Sequence, residues 1–170
     1  MIAPIIGLVL FVLIVGGITM LLNQAEKVKY EKILTDVGDK IKISHSGVRC
    51  STFGSGAKNS NYIFNRCDLY LTDDAAIIFG YTPLGQFKLL RSPIILTASQ
   101  ARYLRFSLLS TVIAPGKLNV NSFNNEVFIE FGEAGWRTTN VEIRMKELSN
   151  EEKELIAIIG KGVGSYRNLG

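Results

Sequence analysis

The chain has 170 residues, about one domain with a remainder. Its net charge of +4 is modest and its Lys and Arg are not interleaved with aromatics expected to be exposed, so no nucleic-acid partner is expected. One histidine, His45, excludes a His-based metal cluster, and Cys50 and Cys67 lack CxxC spacing, so no metal or other cofactor is expected.

The apolar residues are unevenly distributed. Residues 2–22 read IAPIIGLVLFVLIVGGITMLL without a charge. At 1.5 Å per residue, a helix of that length crosses the roughly 30 Å hydrocarbon core of a bilayer. Residues 1–23 are therefore predicted to be a transmembrane helix. A cleaved signal would carry a basic leader, a shorter apolar run and a small-residue cleavage site, and none is present. A buried core helix of this length would show a polar face. Gly7, Gly16 and Gly17 form no GxxxG, so no helix-mediated dimer is predicted.

Residues 24–39 are predicted to be a juxtamembrane linker or amphipathic helix, with Val28, Ile33, Leu34 and Val37 on one face. Lys27, Lys29 and Lys32 fall where the headgroups end, to contact anionic lipid or to fix topology. With Lys40 and Lys42 they load the flank after the span, whereas no Lys or Arg precedes it. The positive-inside rule then puts the N-terminus outside and the following domain in the cytoplasm. There Cys50 and Cys67 would be buried free thiols; an extracytoplasmic domain would instead join them in a disulfide.

Beyond Asp39 short β-rich runs alternate with turn residues. KIKISHSGVRCSTF is predicted to be a strand or a hairpin bent at Ser46-Gly47, followed by the polar loop GSGAKNSN. RCDLYLTDDAAIIFGYT reads as two strands about Asp73-Asp74, with Ile77, Ile78 and Phe79 suited to a strand covered on both sides. Pro83-Leu84-Gly85 is a tight connection before QFKLL. PIILT is a further strand, and ASQARYLRFSLLSTVI fits either a strand or a short helix opening near Ser99. KLNVNSF and EVFIEF flank an Asn124-Asn125 turn, since Asn tolerates positive φ. Val127, Ile129 and Phe131 share one face, and after the loop GEAGW so do Val141, Ile143 and Met145. SNEEKELIAIIG then carries a capping box, Ser149 with Glu152, an apolar stripe of Leu155, Ile156 and Ile159, and Gly160 as a C′ residue.

A series of antiparallel hairpins ending in one capped helix resembles the pleckstrin-homology-like (PH-like) superfold, including bacterial PH and GRAM-type domains. CDLYLTDDAAIIFGY is similar to a central hairpin of that family, and VEIRMKELSNEEKELIAIIG to its last strand and helix. The expected fold class is mainly β (α+β). A transmembrane helix leads to an antiparallel PH-like barrel or sheet over 40–160 with a C-terminal capping helix, and 161–170 form a flexible tail. The alternative is a generic α+β domain with one antiparallel sheet. The resemblance implies phospholipid headgroups or a protein as ligands.

Catalytic groups are scarce. Ser44 and Ser46 beside His45 suggest a triad, but strand neighbours point to opposite faces. Asp73-Asp74 is explained by its turn, and GSGAKNS lacks P-loop spacing. Between residues 75 and 125 lie Lys88, Arg91, Arg102, Arg105 and Lys117 and no acid, a candidate patch for anionic lipid or phosphate if the strands carrying them are neighbours. The expected function is a single-pass, membrane-anchored, non-enzymatic PH-like module binding a protein partner or the anionic inner leaflet. The alternatives are an extracytoplasmic envelope protein with a Cys50–Cys67 disulfide, and an enzyme of unrecognised class.

Overall fold

A computed structural model describes residues 3–56, 59–133 and 139–161. The fold is mixed α+β. Helix α1 (Ala3–Val37) is unbroken over 35 residues, so the apolar segment and the juxtamembrane segment form one rod. Ile6, Leu10, Phe11, Leu13, Ile14, Val15, Ile18, Met20, Leu21 and Leu22 are exposed and cover more than half of the helix circumference. Thr19 returns its hydroxyl to the Val15 carbonyl at 2.8 Å, leaving it no need of an outside partner. Among the described residues no helix is long and apolar enough to cross a membrane. Part of the predicted span, residues 1–2 and the side chains of 3–5, 8, 9 and 12, lies outside the described residues.

The strands follow in chain order: β1 (Ile43–Ser55), β2 (Arg66–Leu71), β3 (Ala75–Leu84), β4 (Phe87–Leu90) and β5 (Ile94–Thr97). After the short helix α2 (Gln100–Tyr103) come β6 (Thr111–Ile113), β7 (Lys117–Asn119), β8 (Val127–Glu133) and β9 (Thr139–Met145), and helix α3 (Asn150–Lys161) ends the described chain. Among the described residues the nine strands form one curled sheet, ordered β6-β5-β3-β2-β1-β9-β8-β7, with β4 paired to the second half of β3. Every pairing is antiparallel except β5 with β6.

Strand β1 joins the two halves of the sheet. Its first half pairs with β2 and its second half with β9. The register slips between His45 and Val48, where Gly47 takes a φ of +75°. The Ser46-Gly47 signal is thus a bulge that bends one continuous strand, and no hairpin forms there. The concave interior is filled by alternate residues of β2, β8 and β9, including Leu69, Leu71, Ile129, Phe131 and Ile143, and is covered by Leu148, Ile156 and Ile159 of the α3 region. The capping box forms: Ser149 N donates to Glu152 Oε2 at 2.6 Å and Glu152 N to Ser149 Oγ at 3.2 Å. Gly160 does not end the helix; it is buried inside α3, which continues to Lys161. Gly132 and Glu133 of the predicted GEAGW loop instead continue β8, paired with Asn140 and Thr139. Residues 134–138, positions 57–58 of the polar loop and the tail at 162–170 lie outside the described residues.

A second core lies on the outer face of β3 and β5, formed by Tyr30, Ile33 and Val37 of α1 with Ala75, Ile77, Phe79, Ile95, Tyr103 and Phe106. Residues 76 and 78 face the first core and 75, 77 and 79 the second, as expected of a strand covered on both sides. The predicted helix face needs one correction. Val28 is exposed, and Tyr30 takes its place because a tyrosine can bury its ring and still satisfy its hydroxyl. The Tyr30 ring stacks on Phe79 at 4.1 Å, and its hydroxyl donates to Arg91 O at 2.5 Å, with Gly80 O at 3.0 Å.

Strand β3 runs antiparallel to α1. Near its start, Asp74 bonds Arg102 and Tyr103 while Arg105 bonds Asp36 at 3.0 Å, close to the end of α1. Farther along, Leu90, the partner of Tyr81, donates its N–H to Asn23 Oδ1 at 2.7 Å. From residue 36 back to 23 the helix travels about 20 Å, and from 74 to 81 the strand travels about 23 Å. The two axes therefore run nearly side by side, and the β3–β4 hairpin points toward the apolar turns of α1.

Candidate functional site

The five basic residues of the acid-free stretch do not converge. Lys88, on β4, bonds Asp68 Oδ2 at 3.4 Å and lies over the Tyr81 ring at 4.1 Å. Arg91 turns its Nε to the Ile63 carbonyl at 2.9 Å. Arg102 and Arg105 belong to the α2 turn, at the end of the domain where α1 finishes. Lys117 sits on β7, at the opposite edge of the sheet, paired with Glu130 at 2.9 Å. Four of the five thus meet a carboxylate from elsewhere in the chain. Of the three lysines that follow the apolar run, Lys29 pairs with Glu26 at 2.7 Å, Lys27 approaches Glu31 at 3.8 Å, and Lys32 is exposed.

Arg102 and Arg105 line an open groove of about 580 Å³ with Lys40, Lys42, Asp73 and Asp74. Burial works against ionisation of Asp74. Hydrogen bonds from Tyr103 at 2.7 Å, Arg102 at 2.8 Å and Thr72 at 3.2 Å outweigh it and hold the carboxyl below its usual range. Burial, together with the Asp74 bond, pushes the Tyr103 phenol up to about 12. Lys42 pairs with Asp73. The groove is a mosaic of both signs at the α1 C-terminus.

A second groove, about 780 Å³ and wide open, lies between β1 and the start of α3. Here His45 Nδ1 meets Glu152 Oε1 at 2.7 Å, and the Glu152 side chain is only 6% exposed. Its other oxygen caps α3. Carboxylate and imidazole resemble two members of a catalytic triad. Yet Ser149, which also lines the groove, has its hydroxyl accepting from the Glu152 N–H. The cluster pins the last helix to the first strand, a link across 107 positions of sequence. The sequence marks the capping box, but nothing local in it announces the tie to His45.

Among the described residues no group of three or more His, Cys, Asp or Glu is placed to hold a metal ion. Cys50 and Cys67 are buried free thiols with their sulfurs 3.2 Å apart. The shared hydrogen bond and burial hold the Cys67 thiol well above the usual range. No protein-family model, curated protein or solved structure matches the chain.

Proposed function

We propose that this chain is a single-pass, membrane-anchored, non-enzymatic module whose PH-like domain presents the end of the molecule away from the bilayer to a protein partner. One observation carries the reading. Helix α1 is unbroken; its described apolar residues between Ile6 and Leu22 are exposed, and its last turns are packed onto β3. A rod built this way holds the domain in a fixed attitude to whatever solvates its apolar half. The uncharged run at 2–22 matches a bilayer in length, and exposed apolar surface on that scale costs too much to leave in water. Lys27, Lys29 and Lys32 beyond it favour a cytoplasmic domain.

The PH-like assignment is supported by the hairpin order, by the curl of the sheet about β1, and by α3 lying across the interior. The non-enzymatic assignment is supported by the structural use of His45 and Glu152. A protein is favoured over lipid for the Arg102–Arg105 groove on distance. Asp36, which binds Arg105, is about 20 Å of helix beyond Asn23, well past the roughly 8–10 Å over which salt lets surface charges interact. Lys27, Lys29, Lys88 and Arg91 lie nearer the apolar segment and are the residues positioned for anionic headgroups.

Alkaline extraction of membranes, combined with compartment-specific reporters fused to Gly170, tests this. Retention in the pellet with a cytoplasmic signal is expected. Release by alkali would remove the anchor. An extracytoplasmic signal would reverse the orientation and favour the envelope reading, in which thiols 3.2 Å apart need move only about 1 Å to reach bonding distance.

A further inference from the structure

The tip of the β3–β4 hairpin carries Leu84 and Phe87, which are 67% and 73% exposed. They flank a tight turn in which Gly85 takes a φ of +60°. Two large apolar side chains at a hairpin tip contribute nothing to either core, and their exposure costs stability that a polar turn would avoid. Where the tip points is fixed by the register against α1. Leu90 is bonded to Asn23, and the hairpin runs on toward the helix N-terminus. Phe87 is three residues past Leu90, so it reaches about 10 Å beyond the level of Asn23. On α1 the same distance covers about seven residues, as far as Gly16 and Gly17. Leu84 and Phe87 therefore lie alongside the exposed Ile18, Leu21 and Leu22 levels, inside the uncharged run.

We propose that the β3–β4 hairpin is a second membrane contact, with Leu84 and Phe87 inserted into the interfacial region of the bilayer that holds α1. The inference rests on the reading of α1 as an anchor. If the run at 2–22 spans, Asn23 lies at the boundary of headgroups and acyl chains, and a tip about 10 Å past it reaches the upper acyl chains, the deep end of the roughly 5–10 Å to which surface-bound elements bury their apolar side chains. The neighbouring cation is placed to match. Lys88 follows Phe87 directly, and its ammonium turns back over Tyr81 toward Asp68, away from the tip. Anchor and hairpin together would fix the rotation of the domain about the membrane normal, which a lone helix leaves free.

The test uses the full chain in phosphatidylcholine vesicles, with Trp136→Phe as background and one reporter tryptophan at a time. Phe87→Trp reports the hairpin, Leu84→Trp repeats it should the first variant misfold, and Leu13→Trp reports the anchor. Lipids brominated near the top of their acyl chains quench a tryptophan at that depth. Emission from the hairpin reporters is expected to shift to the blue and to be quenched by these lipids, as Leu13→Trp is. A quenched Leu13→Trp with an unquenched, water-like hairpin reporter overturns the proposal and leaves the anchor standing. Absence of quenching in both overturns anchor and hairpin together. Quenching of the hairpin reporters only when anionic lipid is added also overturns it, because the contact would then be lysine attraction rather than apolar insertion.

Discussion

Replacing Tyr30 tests whether the last turns of α1 belong to the folded domain. The side chain is buried, stacks on Phe79, and bonds the Arg91 carbonyl, with the Gly80 carbonyl beside it. In Tyr30→Phe the ring stays. The Gly80 carbonyl keeps its bond from Arg91 N at 2.9 Å, so the main loss is the donor to Arg91 O, about 1–1.5 kcal/mol. In Tyr30→Ala the ring goes too, for about 3–5 kcal/mol, of which the stacking accounts for about 0.5–1.5. At 1.4 kcal/mol per decade, the opening equilibrium between α1 and the sheet rises about tenfold for Tyr30→Phe and at least a hundredfold for Tyr30→Ala. Hydrogen exchange by mass spectrometry on the full chain in nanodiscs, followed on peptides covering 25–37 and 76–91, reads these factors. A Tyr30→Ala chain whose exchange in both peptides stays within about threefold of wild type would refute the docked helix, since that is the range of an ordinary surface change.

Three further outcomes are expected. A Cβ at Gly80 would lie 2.4 Å from the Phe64 ring, so Gly80→Ala should lower stability by about 1–3 kcal/mol, and Phe64→Leu in the same chain should restore part of the loss in thermal melts. Asp74 binds its proton more weakly folded than unfolded, so its contribution is complete above the ordinary carboxylate range and is lost as pH falls through the lowered value. Asp74→Asn should therefore weaken the domain at neutral pH and flatten its acid limb below about pH 4 in denaturation series; an unaltered limb would count against the Arg102–Tyr103 pairing. Buried and with the Cys67 thiol raised, Cys50 and Cys67 should resist iodoacetamide in the native chain and react in denaturant, as intact mass would show.

Much of the fold was legible where pattern and burial coincide. Val127, Ile129 and Phe131 alternate in the sequence and are buried in β8, and the same holds for Val141, Ile143 and Met145 in β9. The capping box was legible because both its partners lie within one turn. What failed depended on distant chain. Ser46-Gly47 signals a break in extended structure, but whether it becomes a hairpin or a bulge is decided by β2 and β9 alongside. The stretch without acids was acid-free only along the sequence. Asp36, Asp68, Asp74 and Glu130 arrive from elsewhere and pair with Arg105, Lys88, Arg102 and Lys117. Of the sites, the isolated residues could be found in advance, but neither the groove around Arg102 nor the His45–Glu152 tie had a local signal.

The double duty of β1 also sets an order of events during synthesis. Strands β2 to β5 can add to the first half of β1 as they emerge, each beside its predecessor or nearly so. The second half of β1 waits for β9, with Cys50 paired to Met145 and Ser55 to Asn140. Until some ninety residues more have been made, that half strand is an open edge, and closing it carries the kinetic penalty of a long-range pairing. A chain stopped short of β9 would leave that edge open. Were α1 to anchor the chain as proposed, nascent copies gathered on one membrane would be each other's nearest candidates for pairing.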